Sequence, residues 1–156
     1  MLKETLLKSM KKAISNVMET MFFQSVHIND SHHLVKNWFS KDQPLLGAKL
    51  GFSGPVSGTC YIFTLASDVE EMTADFLGIA QNDVHKDQVR DTIKETLNMI
   101  SGNMLSINDD PGAFQLGIPE LMDEKDLVPE QLEDLKMNIL FIETNGKRLG
   151  MGLMIT

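Results

Sequence analysis

The last twenty residues restrict the fold more than any other segment. Residues 137–144 form a strongly apolar run, Asn145-Gly146 is a two-residue turn signal, and residues 147–156 form a second strand-like run. A type I′ turn needs positive φ at both central positions, which Asn and Gly tolerate, so the two runs fold back on each other as an antiparallel hairpin. In the return strand Leu149, Met151, Leu153 and Ile155 share one face, while Gly150 and Gly152 leave the other bare. Bare glycines in a strand mark the close approach of another element. An earlier hairpin is expected from the alternation of Leu46, Ala48, Leu50 and Phe52, a turn at Gly54-Pro55, and a run over 56–65 that contains Cys60, Tyr61, Ile62 and Phe63. Two hairpins require antiparallel sheet.

Helical periodicity fills the rest. Leu2, Leu6, Met10, Ala13, Ile14, Val17 and Met21 recur at steps of three and four, with lysines off that stripe. Ser67-Asp-Val-Glu70 has the form of a capping box opening a helix that Gly78 would end. A longer helix is expected over 84–104, started by Asn82 or Asp83. Helices combined with antiparallel hairpins give the α+β class. At 156 residues the chain has the size of a single domain, residues 1–156. A shift of 78 places Met21 on Met99 and suggests an internal repeat, with the acidic stretch as an insertion in the second half.

Composition removes several classes of function. The formal charge is −8, and −6 of it lies in residues 120–134, a block expected to be a solvated loop or short helix. Nucleic acid and anionic membrane surfaces need a broad basic face, which this balance does not supply. Cys60 is the only cysteine, so no internal disulfide forms and a reducing compartment is expected. No apolar run reaches the roughly 18 residues of a membrane span. The start Met1-Leu2-Lys3-Glu4-Thr5 is not signal-peptide-like, so a cytoplasmic location is expected.

The 84–104 helix carries the residues of most chemical interest. With Asp87 at zero and 100° per residue, Asp91, Glu95, Asn98 and Gly102 fall at about 40°, 80°, 20° and 60°. Val89, Ile93, Thr96, Leu97, Ile100 and Met104 lie on the opposite side, the buried face. The polar stripe works against the helix. Its three acids repel at i,i+4, and Gly102 costs about 1 kcal/mol relative to Ala. Arg90 and Lys94 offset part of the repulsion at i,i+3. An outward carboxylate, a carboxamide one turn later and a small residue beyond form a candidate contact surface.

The run Asp91-Thr-Ile-Lys-Glu95-Thr-Leu-Asn98 resembles the signature of the CheC/CheX/FliY chemotaxis phosphatases: Asp or Ser, three residues, Glu, two residues, Asn, then a later proline. Asn98-Met-Ile-Ser-Gly102-Asn103 is similar to a run common in CheX. Pro119 is the matching proline, after 20 intervening residues, two short of the family spacing, and Pro111 is too early. The resemblance implies a pseudo-duplicated fold with two long helices on antiparallel sheet. It further implies removal of the aspartyl phosphate of a CheY-like receiver domain. Asn98 would position water, and Glu95 would pair with the receiver's lysine. Asp91, Lys94, Gly102 and Pro119 would contact the partner. The Mg²⁺ would belong to the receiver, with no cofactor held by this chain. Shifted by 78, Asp91, Glu95 and Asn98 fall on Ala13, Val17 and Thr20, so one site per chain is expected, as in homodimeric CheX. The same resemblance also admits a non-catalytic receiver-binding or dimerisation module, or a structural dimer.

His27, His32 and His33 lie near Asp30, but their spacing fits no zinc template. Cys60 is expected to be buried and inert, and no phosphate loop or Ser-His-Asp spacing occurs.

Overall fold

A computed structural model of the protein describes residues 2–29, 34–39, 42–107 and 112–156. Asp30, His32, His33 and Pro111 lie outside the described residues. The elements, in chain order, are α1 (Leu2–Met21), β1 (His27–Asn29), α2 (Val35–Trp38), β2 (Leu45–Ser53), β3 (Gly58–Leu65), α3 (Ala66–Leu77) and α4 (Lys86–Ser106). They continue with β4 (Gln115–Leu116), β5 (Glu120–Leu121), α5 (Pro129–Asp134), β6 (Asn138–Thr144) and β7 (Lys147–Ile155). The strands form one antiparallel sheet in the order β1-β6-β7-β3-β2-β4, with β5 also on β2.

Both expected hairpins are present. Asn145 and Gly146 have φ of 48° and 79°, as their turn requires, and Thr144 pairs with Lys147. The bare face of β7 is filled by side chains from elsewhere. A Cβ built on Gly150 would collide with the ring of Phe63, its partner across the β3–β7 ladder. One built on Gly152 would collide with Met137.

The sheet is covered on both faces. Cys60 and Ile62 of β3 join a core with α1, α3 and α4, whereas Tyr61 and Phe63 join a second cluster with Val35 and Trp38 of α2 and Leu132 of α5. This explains why β3 is almost continuously apolar instead of alternating. The second layer was not legible in the sequence, because α2 and α5 are too short to show a period. The acidic stretch builds part of it: Leu127 and Leu132 are buried, while most of its acids face solvent.

Two helix starts differ from the sequence expectation. α3 begins at Ala66, directly off β3, with Leu65 at the N-cap and no side-chain cap. The Ala66 N–H donates to the Pro44 carbonyl at 2.9 Å, so Ser67 and Glu70 lie exposed inside the helix. α4 begins at Lys86 rather than at Asn82 or Asp83, which are held in a 3-10 turn over Gln81–Asp83. There the His85 N–H donates to Gln88 Oε1 at 2.9 Å. Gly78 ends α3 in the left-handed region, as expected.

The internal repeat is real in the fold, but its offset is not 78. A shift of 83 carries the buried α1 positions Leu6, Ser9, Met10, Ala13, Ile14, Val17 and Met18 onto Val89, Thr92, Ile93, Thr96, Leu97, Ile100 and Ser101 of α4. Each half then reads helix, edge strand, short helix, hairpin, with α3 added after the first hairpin and β5 added after the second edge strand. The edge strand of each half pairs with the hairpin of the other, β1 on β6 and β4 on β2. The acidic stretch is a lengthened counterpart of the α2 segment. Because the loops differ in length, no single shift aligns both helices and strands.

Candidate functional site

α4 owes its position to its apolar face. Val89, Ile93, Leu97, Ile100 and Met104 are buried against α1 and the sheet. At about 1.5–3 kcal/mol for each fully buried large side chain, this outweighs the few tenths per like-charge pair on the outer stripe. Thr92 and Thr96 sit on the buried face with their hydroxyls donated to the carbonyls of Gln88 and Thr92, at 2.8 and 2.7 Å. Asn16 of α1 donates to Asn103 Oδ1 at 3.2 Å, tying the two long helices together beyond the stripe.

The stripe faces outward as its angles require. Asp87, Asp91 and Glu95 are exposed, and Asn98 and Gly102 are partly exposed. Each of the first two acids has a cation at i+3: Arg90 lies 3.7 Å from Asp87, and Lys94 lies 3.7 Å from Asp91. Glu95 breaks the series. Its i+3 residue is Asn98, and among the described residues no cation pairs with its carboxylate. No described residue hydrogen-bonds the Asn98 amide either.

A groove of about 550 Å³ runs beside Glu95 and brings four of the expected residues together: Asp91, Lys94, Glu95 and Pro119. Pro119 arrives there because the chain runs along the outer edge of β2. Gln115 and Leu116 pair with Ser53 and Phe52, the Gly117 N–H donates to the Gly51 carbonyl at 2.7 Å, and Glu120 pairs with Lys49. Asn98 lies one turn further along α4, outside the groove lining. Gly102 is further still, and a Cβ there would meet Leu116 Cδ1 at an ordinary 3.5 Å. Nothing in the chain's own packing therefore demands glycine at 102.

The sequence reading missed the apolar rim of this groove. Phe76 and Leu77 at the end of α3 line it together with Ile118 from the segment between β4 and β5. Ile118 is 84 % exposed, an unusual position for an isoleucine. The available signal was the apolar Phe76-Leu77 pair running straight into the Gly78 helix stop.

The remaining candidates hold no comparable arrangement. Among the described residues no three His, Cys, Asp or Glu side chains are placed to hold a metal, and His27 lies in β1. Cys60 is fully buried, as expected. Burial pushes its thiol up to about 11, opposed in part by the Ser101 hydroxyl, so it is no nucleophile at neutral pH. No helix among the described residues is long and apolar enough to cross a membrane.

The family model for the chemotaxis phosphatase CheX matches residues 46–142. The chain belongs to the CheX family. Among solved structures, the chemotaxis protein CheX from Vibrio vulnificus superposes with a TM-score of 0.73 at 15% identity, covering 97% of this chain and 96% of that one. A CheX–CheY complex with BeF3 and Mg from Borrelia burgdorferi gives 0.66 at 13%, covering 96% of each chain. FliY from Thermotoga maritima gives 0.61 at 12%, covering 95% and 84%. At these identities the superpositions speak for the fold, which is the CheC/CheX architecture. No curated protein sequence matches the chain. The repeat offset of this CheX-family fold also corrects the expected counterparts of the stripe in α1. Asp91, Glu95 and Asn98 correspond to Lys8, Lys12 and Ser15, not to Ala13, Val17 and Thr20.

Proposed function

We propose that this protein dephosphorylates the aspartyl phosphate of a CheY-like receiver domain in the cytoplasm. The observation that carries this reading is the break in the α4 ion-pair series. Glu95 has an exposed carboxylate with no cation of its own, and an unengaged carboxamide, Asn98, stands one turn beyond it. A lysine of the receiver completes the missing pair and orients the two proteins. An acyl phosphate already has a good leaving group, so the catalyst has to supply a water placed in line with phosphorus. A carboxamide suits that task, because its oxygen accepts from and its NH₂ donates to one water. Asn98 is the water-positioning residue, Glu95 the orienting one, and the Mg²⁺ of the reaction belongs to the receiver. Asp91 and Lys94, paired with each other, shape the groove edge beside them. Gly102, which this chain's own packing does not require, leaves room for the partner's backbone. The Borrelia structure is a complex of CheX with CheY, which supports the choice of partner. A homodimer would carry one such face per chain, and sedimentation of the intact protein measures that state.

The test is phosphate release from a phosphorylated receiver of the same organism. Asn98→Ala is expected to abolish stimulated release while leaving thermal unfolding nearly unchanged, since the side chain is partly exposed and no described residue hydrogen-bonds it. An Ala variant as fast as the parent refutes the assignment.

A further inference from the structure

We infer that the groove beside Glu95 is a specificity pocket. It seats an apolar side chain of the receiver next to the cation that Glu95 takes. This inference rests on the proposed function and adds to it what the partner's surface must look like. Glu95 and Pro119 line one groove with Phe76, Leu77 and Ile118, so charge and apolar surface lie within a single depression of about 550 Å³. The charged side of the groove sets the partner's charge. Asp91 already holds Lys94 at 3.7 Å, which leaves Glu95 as the lining carboxylate to be matched by a cation from outside. The apolar side sets what stands next to that cation. Ile118 projects from the segment clamped to β2 and is left 84 % exposed, while Leu77, which lines the same groove, is left 43 % exposed. Neither serves this chain's own core. An ammonium flanked only by polar groups would leave both walls in water. An ammonium with an aliphatic or aromatic neighbour fills them.

The pocket acts on affinity and on choice among receivers, whereas Asn98 acts on chemistry, and the two are separable. The probes are the receiver loaded with beryllofluoride, for affinity, and the phosphorylated receiver at saturation, for the rate of release. Ile118→Ser is expected to weaken affinity about tenfold or more, and the less exposed Leu77→Ser about threefold to tenfold, from the loss of aliphatic surface that the partner would bury. Their saturating rate should stay at the parental value. Asn98→Ala is expected to do the reverse. If both serine variants keep parental affinity while Asn98→Ala loses release, the pocket is overturned and the proposed function stands. If the parent neither binds nor dephosphorylates any receiver, both fall. A loss of saturating rate in the serine variants with affinity intact also overturns the pocket.

Discussion

Glu95→Gln separates function from stability, because the two should move in opposite directions. In the folded chain Glu95 sits four residues after Asp91, a like-charge neighbour on the same helix face, and it has no compensating cation among the described residues. Removing its charge relieves one i,i+4 repulsion, worth about 0.2–0.5 kcal/mol. Gln and Glu have nearly the same helix propensity, and the side chain is exposed, so no other stability change accompanies the swap. The net expectation is a rise of about 1 °C in Tm for a chain of this size. The complex should respond in the other direction. A hydrogen bond to a charged partner is worth about 1.5–3 kcal/mol, so affinity for the receiver should fall by about tenfold to a hundredfold. Thermal unfolding by circular dichroism reads the first effect, and titration with beryllofluoride-loaded receiver reads the second. Raising the salt concentration should narrow the affinity gap between parent and variant, because part of the lost attraction is screened. Unchanged affinity would sink the reasoning, and so would a Tm lowered by several degrees, which would make Glu95 a structural residue.

Other perturbations probe the sheet that holds the helix in place. Gly150→Ala forces a Cβ into the ring of fully buried Phe63, and overpacking of this kind costs about 1–3 kcal/mol. A urea midpoint equal to the parent's would show that the β3–β7 contact yields without strain. The thiol of Cys60 predicts an alkaline weakening. Its stabilising contribution is complete below pH 9.0, where the unfolded thiol is still protonated, and is lost as pH rises to about 11. The two pH units correspond to about 2–3 kcal/mol, and the parent's stability should decline over this window more steeply than that of Cys60→Ala. Parallel declines in the two chains would refute the assignment to Cys60.

The hairpins, the two long helices and the orientation of the α4 stripe were legible because each rests on a local period or a turn with special φ. Asn145-Gly146 and the buried-face residues of α4 needed no tertiary information. Helix starts were less legible. Ser67 has the right chemistry for a cap, but the strand before it runs on to Leu65, a choice made by pairing with β2 and β7. The layer built by α2 and α5 was hidden because four and six residues are too few to display periodicity. At the site, the family resemblance singled out Glu95 and Asn98, and their outward placement on α4 could be read from spacing. The apolar rim could not, since Ile118 reaches the groove only through the pairing of its neighbours with β2.

The duplicated architecture has a consequence for how many partners each chain would take under the proposed function. Lys8 and Lys12 stand on α1 at the stations that Asp91 and Glu95 hold on α4, and both lysines are exposed. The two halves thus share a scaffold but have opposite polarity at corresponding points. Under that function, a lysine-bearing partner drawn to α4 would be repelled at the corresponding stations of α1, so charge alone would limit each chain to a single guest, with no loop needed to block the second helix.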